Sequence, residues 1–117
     1  MSGMVSYLAG ASAEEQVGAH YARNGMPITA RRWRGKGGEI DLVAQDGDGL
    51  VFIEVKKSRS HARAAERLSI RQIRRLFDAA GEYMAVFSSG RAVNARFDVA
   101  LVDGAGRIEI LENALIA

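Results

Sequence analysis

Two short segments, joined by a turn, carry the most constraining pattern in this sequence. They read EIDLVA at 39–44 and FIEVK at 52–56, and the turn between them is Asp-Gly-Asp-Gly at 46–49. The strand-forming residues around this strong turn signal predict a β-hairpin over 39–45 and 50–56. The hairpin puts Asp41, Glu54 and Lys56 in strands that otherwise pack apolar faces. Two acids and a lysine in that setting indicate a site that holds a divalent cation and positions water against a phosphate.

The simplest hairpin register pairs the two residues that flank the turn. It sets Asp41 opposite Glu54 and Glu39 opposite Lys56, with facing Cβ atoms roughly 5 Å apart. Two like charges at that distance repel by about 3 kcal/mol at an effective dielectric of about 20. Mg²⁺ or Mn²⁺ would turn the repulsion into attraction, with the Val55 carbonyl as a further ligand, because hard cations prefer oxygen donors. The alternative is a Glu39–Lys56 salt bridge beside two solvated acids.

The net charge of +2 conceals strong segregation along the chain. Residues 31–38 carry a net +4, residues 56–75 a net +7, and the remainder a net −9. Both basic segments adjoin the hairpin, which favours a surface that contacts a phosphate backbone over a pair of solvated loops. The candidate phosphate-binding residues are Arg31, Arg32, Arg34, Lys36, Lys57, Arg59, Arg63 and Arg71.

Composition excludes several classes of protein. None of the 117 residues is cysteine, so disulfide scaffolds, thiol nucleophiles and cysteine-based metal sites are ruled out. The length fits one domain, with a core over about 12–112. Residues 4–13 end in a triplet that resembles a signal-peptide cleavage site, but no Lys or Arg precedes it and the apolar run is short. We therefore expect a cytoplasmic protein without membrane association.

The predicted order of elements is α-β-β-β-α-β-β, in a single α/β domain whose mixed central sheet is flanked by helices. Ser12 and Glu15 form a capping-box pattern that predicts the start of the first helix, and Ser69 and Gln72 form one that predicts the start of the second. Strands are expected at 28–33, 39–45, 50–56, 95–102 and 107–111, a flexible glycine-rich loop at 34–38, and a basic loop at 57–68.

The motifs GEIDLVA, FIEVK and RFDV (96–99), with AEE near the first helix, resemble the bacterial YraN-like family from about residue 13 to 102. That family is assigned to the PD-(D/E)XK nuclease superfamily, and the order of acids is also similar to that of archaeal Holliday-junction resolvases. The resemblance implies a restriction-endonuclease-like core. It further implies a metal-dependent DNA endonuclease that acts on branched or single-stranded structures, and a homodimer as in junction-cleaving relatives.

The resemblance also implies roles for individual residues. Asp41 and Glu54 would bind Mg²⁺ or Mn²⁺, and Lys56 would orient or polarise the attacking water. Glu14 corresponds to the acid on the first helix, because it lies 11 residues before the glycine that ends that helix. Glu15 is the alternative, although it has the capping-box role.

Three further polar residues are considered with the site. Glu39 either supports the metal ligands or pairs with the lysine of E-x-K. Gln72 either supports the active site or serves as the capping partner of Ser69, which the pattern favours. Asp98 is expected to be structural and paired with Arg96 or a neighbouring strand.

The sequence therefore leaves functions of different classes open. The main interpretation is a metal-dependent DNA endonuclease. The alternatives are a non-catalytic nucleic-acid-binding module with the same fold, and a small interaction protein that docks its basic loop on an acidic partner. Binding that did not depend on salt would weaken both nucleic-acid interpretations, since binding to a phosphate backbone weakens steeply with salt.

Overall fold

The described residues of the computed structural model, 3–65, 69–89 and 91–114, fold as helices on both faces of one sheet. The elements, in chain order, are α1 (Gly3–Arg23), β1 (Ile28–Arg34), β2 (Glu39–Asp46), β3 (Gly49–Lys57), α2 (His61–Ala65), α3 (Ile70–Ser88), β4 (Ala95–Val102) and β5 (Ile108–Leu111). The predicted mixed α/β architecture is confirmed. No helix among the described residues is long and apolar enough to cross a membrane.

The sheet has the strand order β1-β2-β3-β4-β5. β3 and β4 are parallel, and the other neighbouring pairs are antiparallel. Residues 50–53 and 99–102 are apolar and buried in succession, as expected for central strands with both faces covered. The parallel pair requires a crossover, which runs through α2 and α3.

Each face of the sheet is covered by one long helix. Ala13, Val17 and Tyr21 of α1 recur every four residues and pack on one face. Leu76 and Ala80 of α3 pack on the other face, also at a four-residue spacing. Because both faces are occupied, a polar site has to lie at an end or an edge of the sheet.

The topology brings the two basic segments to the same end of the sheet. β1 and β3 finish there, β2 starts there, and α3 begins there before it returns along the sheet. The acidic turn between β2 and β3 lies at the opposite end. The fold therefore places positive charge around the first residues of β2 and the last residues of β3.

Two boundaries differ from the sequence-based expectation. The capping box predicted at Ser12 and Glu15 is wrong, because α1 begins at Gly3 and carries both residues inside the helix. The predicted basic loop contains the short helix α2. The second predicted capping box is confirmed: the Ser69 hydroxyl accepts the Gln72 N–H at 3.1 Å, and the Gln72 side chain accepts the Ser69 N–H at 3.3 Å.

The glycine-rich loop between β1 and β2 is docked on α3. The Glu82 carboxylate accepts the backbone N–H groups of Lys36 and Gly37, each at 2.8 Å. A Cβ on Gly38 would stand 2.5 Å from the backbone oxygen of Arg75, so the loop lies directly on the helix backbone. These contacts hold the start of β2 against the first half of α3.

Gly38→Ala is expected to destabilise the protein by about 1–3 kcal/mol, because the helix backbone cannot yield to the added methyl group. Gly81→Ala, within α3, is the matched control. A Cβ on Gly81 meets nothing within 4 Å, so this change should stabilise the helix by about 0.5–1 kcal/mol. Urea denaturation measures both effects, and equal stabilities would show that the loop does not press on α3.

Candidate metal centre and nucleic-acid interface

The structure confirms the predicted pairing of the hairpin next to its turn, and the β2–β3 ladder ends just before Asp41 and Glu54. Gln45 pairs with Leu50, and the last paired residues of the β2–β3 ladder are Leu42 and Ile53. At the next position the Val55 N–H donates to Asp41 Oδ2 at 2.8 Å. The Asp41 side chain thus accepts a hydrogen bond from the backbone of β3.

The regular alternation of β1 and β2 is interrupted beside Asp41. In the β1–β2 register Arg32 stands opposite Asp41, because Arg31 pairs with Leu42 and Trp33 with Ile40. Arg32 has φ of +47°, a left-handed conformation that costs an L-residue about 1–2 kcal/mol. Ile40 and Val43 both belong to the core on the α3 side although they are three residues apart. Local irregularities of this kind re-aim side chains next to functional sites.

Asp41 and Glu54 form a largely buried carboxyl pair. Burial, the charge of Glu54 and a hydrogen bond with Glu54 together raise the pKa of Asp41 to about 8, although the hydrogen bond from the Val55 N–H lowers it. Glu14 adds to the upward shift. The site therefore disfavours a negative charge on Asp41 while no cation is bound, and a bound divalent cation would relieve this.

The metal-free protein is expected to lose stability relative to Asp41→Asn as the pH rises from 3.8 to about 8. The folded state favours a protonated Asp41, whereas the unfolded chain ionises near pH 3.8, so rising pH favours unfolding across this window. The asparagine can accept the Val55 N–H and donate to Glu54. The difference between the unfolding free energies of the two proteins should grow by up to about 1.4 kcal/mol per pH unit and level off above that window. Urea denaturation in EDTA, between about pH 5 and about pH 9, measures it; parallel curves would contradict it.

Lys56 is held by one member of the carboxyl pair. Its Nζ lies 3.2 Å from Glu54 Oε1, and the two side chains are only 15% and 16% exposed. The alternative Glu39–Lys56 salt bridge is therefore wrong. Glu39 instead pairs with Arg34 at 3.1 Å, because the β2–β3 ladder has already ended and Glu39 faces the end of β1.

The structure brings one of the two α1 acids to the site. Glu14 is 18% exposed and pairs with Arg32 at 2.9 Å, close enough to Asp41 to raise its pKa. Glu15 is exposed. This difference follows from the helical phase, in which Ala13 and Val17 face the sheet and Glu14 lies at the edge of that face.

The acids open into a small cleft at this end of the sheet. It has a volume of about 270 Å³ and is lined by Glu39, Asp41, Glu54, Gln72 and Arg75. Gln72 therefore combines its capping role with a place in the wall of the cleft. Arg75 was not among the predicted site residues, although it lies three residues, and so about one helical turn, beyond Gln72. That spacing was the signal available in the sequence.

The predicted phosphate-binding residues are all exposed around this end of the sheet. Those on β1 and its loop are Arg31, Arg32, Arg34 and Lys36; those between β3 and the start of α3 are Lys57, Arg59, Arg63 and Arg71. Two are engaged with acids, since Arg34 pairs with Glu39 and Arg32 with Glu14. The surface remains strongly cationic, because the other six face solvent.

The second basic segment is anchored by a histidine whose role the sequence did not reveal. One ring nitrogen of His61 lies 3.0 Å from the Glu109 carboxylate, and the other lies 2.9 Å from the Arg107 carbonyl. The Gly104 N–H also donates to the Arg59 carbonyl at 3.4 Å. The segment is thereby tied to the β4–β5 turn. No local pattern predicts contacts between residues so far apart in sequence.

The donor set is small but suits a hard divalent cation. Asp41 and Glu54 provide carboxylates, and the Val55 carbonyl points to the same neighbouring strand as its N–H and hence toward Asp41. Among the described residues, no three His, Cys, Asp or Glu side chains stand together as a complete cage. Two carboxylates with one carbonyl match Mg²⁺ or Mn²⁺, since such ions keep several water ligands.

Comparison with known proteins places these residues in a family. Residues 13–102 match the sequence profile described as "Uncharacterised protein family UPF0102". The chain belongs to the UPF0102 family. A UPF0102 protein of Cereibacter sphaeroides is 58% identical over 117 residues, with 100% of both chains covered. One of Ruegeria pomeroyi is 54% identical over 112 residues, covering 96% of this chain and 91% of its own.

The resemblance to YraN-like proteins is thus confirmed at the level of the family. The UPF0102 match starts within α1, just before Glu14, and ends with the last residue of β4. It includes both carboxylates of the site, the E-x-K lysine and both basic segments. The first ten residues of α1 and all of β5 lie outside the match.

Proposed function

We propose that this chain is a Mg²⁺- or Mn²⁺-dependent endonuclease that hydrolyses DNA, with a site of the PD-(D/E)XK type. The observation that carries the proposal is the largely buried Asp41–Glu54 pair, with Lys56 bound to Glu54, at the cationic end of the sheet. An acid on β2, an E-x-K on the next strand and an acid on α1 fit the arrangement that the resemblance implies.

Each residue of the site has a chemical role in this proposal. The Asp41 and Glu54 carboxylates and the Val55 carbonyl would hold the cation. When bound, the ion supplies Lewis-acid activation of water and neutralises charge on the phosphate. Lys56 is kept in place by Glu54, so that its ammonium can stabilise charge that develops in the transition state.

The walls of the cleft suit an anionic polymer. Arg75 is in position to contact a phosphate that enters the cleft, and Gln72 can donate a hydrogen bond to it. The exposed basic residues on either side would bind neighbouring phosphates of the backbone. Contacts of this kind position a strand without reading its bases, so we infer little sequence preference and binding that weakens with salt.

A cleavage panel tests the proposal. The wild-type protein is incubated with linear single-stranded, linear duplex, forked and four-way-branched DNA, with Mn²⁺ or with EDTA. Mn²⁺-dependent cleavage of at least one substrate is expected. If the protein binds these DNAs in low salt but cuts none of them, the enzyme proposal fails and the non-catalytic binding module is favoured. Sedimentation analysis of the same samples tests the predicted homodimer.

A further inference from the structure

The glycine-rich loop between β1 and β2 is fastened to α3 by a clamp, the pair of hydrogen bonds that Glu82 accepts. Its carboxylate takes two consecutive N–H groups, those of Lys36 and Gly37, each at 2.8 Å. The Gly35 N–H donates to the Gly38 carbonyl at 2.9 Å and closes the loop as a tight turn. Lys36 is the one residue of this turn that is not glycine, and it is exposed. The clamp therefore holds the backbone that carries a single cation.

The loop lies along α3 for about two helical turns. A Cβ on Gly38 would stand 2.5 Å from the Arg75 backbone oxygen, and a Cβ on Gly37 would stand 2.6 Å from the Asp78 Cβ. Glu82 follows one turn later on the same side of the helix. A rise of 1.5 Å per residue separates Arg75 from Glu82 by about 10 Å along the helix axis. The loop thus extends along α3 from the cleft, which Arg75 lines.

Glu82 places an acid beside a surface that the proposed function requires to be cationic. A free carboxylate there would weaken the attraction for phosphate. This carboxylate is instead engaged by two backbone donors, and hydrogen bonds to a charged acceptor are among the stronger ones in proteins. They hold the loop before any ligand binds, so the loop does not have to be ordered at the moment of binding.

We propose that Glu82 is a positioning residue for nucleic acid, which holds Lys36 in place to contact a backbone phosphate beyond the one that Arg75 contacts in the cleft. The inference rests on the proposed function. Phosphates of one DNA strand follow one another about every 3.4 Å along the helix axis. The separation of about 10 Å along α3 therefore corresponds to about three nucleotides. The ligand is recognised by its backbone charge, so the contact adds affinity without sequence preference.

The test measures binding of fluorescent oligothymidylate, and of its duplex with oligoadenylate, to the full chain by anisotropy in EDTA over a range of salt concentrations. We expect Glu82→Gln to bind the DNA at least about threefold more weakly than the wild type, and its salt slope to fall by up to about one. The glutamine sets its NH₂ group against one of the two N–H donors and opens the clamp. Loss of a negative charge alone would have the opposite effect and tighten binding.

Two further variants complete the test. Asp78→Asn is the matched control, because it removes the same charge one turn earlier and leaves the Cβ that lies against Gly37; it should bind DNA at least as tightly as the wild type. Lys36→Gln should show the weaker binding and the lower salt slope with the clamp intact. Combined with Glu82→Gln it should lose little more, since both changes remove the same contact.

The outcomes separate this inference from the proposed function. If the wild type binds neither DNA in low salt, both are overturned. If it binds DNA and Glu82→Gln binds as tightly or more tightly, the positioning role fails while the proposed function stands. The role also fails if Asp78→Asn loses as much affinity as Glu82→Gln. Binding without cleavage in the Mn²⁺ panel overturns the enzyme and leaves the positioning role standing.

Urea denaturation verifies that each variant is folded. If Glu82→Gln does not fold, Lys36→Gln decides, and a wild-type salt slope in that variant overturns the positioning role. Weaker binding with a lower slope in Glu82→Gln and Lys36→Gln, without addition in the double variant, supports it.

Discussion

Asp41→Asn is expected to lower Mn²⁺-dependent cleavage of DNA by at least ~100-fold, because loss of even a supporting residue at a metal site costs ~10–100-fold. The asparagine has almost the same shape as the protonated aspartic acid that the metal-free site contains. Its carbonyl oxygen can accept the Val55 N–H that Asp41 Oδ2 accepts at 2.8 Å. What the substitution removes is the negative charge that a divalent cation requires.

The measurement compares initial cleavage rates of wild type and Asp41→Asn on the DNA that the wild type cuts best, with urea denaturation to verify the fold. Asp48→Asn is the matched control, because it makes the same chemical change in the exposed turn at the other end of the sheet. That variant should cleave at the wild-type rate. An active Asp41→Asn protein would show that the carboxyl pair is structural.

The sequence predicted those parts of the site that local patterns determine. Turn chemistry at 46–49 sets the hairpin register, so the approach of Asp41 to Glu54 followed from the position of the turn. The capping box at Ser69 followed from the hydrogen-bonding capacity of two side chains three residues apart. Each of these depends on residues that are neighbours along the chain or across one hairpin.

The rest depends on contacts between distant segments. Glu82 anchors the loop through Lys36 and Gly37, which are 46 and 45 residues away in sequence. No pattern near either segment predicts this contact. The backbone of Arg32 on β1, opposite Asp41, has a positive φ that no sequence pattern required. The false capping box at Ser12 shows the converse: a valid local signal was overridden because α1 extends further toward the N-terminus.

Arg96 illustrates how burial separates a strong contact from a weak one. Its guanidinium Nε donates to Asp98 Oδ1 at 3.1 Å, and another of its nitrogens lies 3.6 Å from the Asp46 carboxylate. Asp98 is fully buried and also accepts the Tyr21 hydroxyl at 2.7 Å and the Asn113 N–H at 2.9 Å. This network connects α1, β4 and the segment after β5, and it confirms that Asp98 pairs with Arg96.

Asp98→Ala is expected to destabilise the protein by about 3–5 kcal/mol, the range found when one partner of a buried ion pair is removed. The alanine leaves the Tyr21 hydroxyl, the Asn113 N–H and the guanidinium without their common acceptor. Tyr21 cannot compensate by ionising, since its burial alone raises its pKa above the ordinary value.

Asp46→Ala is the control for the same guanidinium, because Asp46 is 56% exposed. It should cost less than about 1 kcal/mol. Urea denaturation at neutral pH compares the two variants with the wild type. Similar losses in both would mean that Arg96 is stabilised by the general acidity of its surroundings; a large loss in Asp98→Ala alone would locate the effect in the buried network.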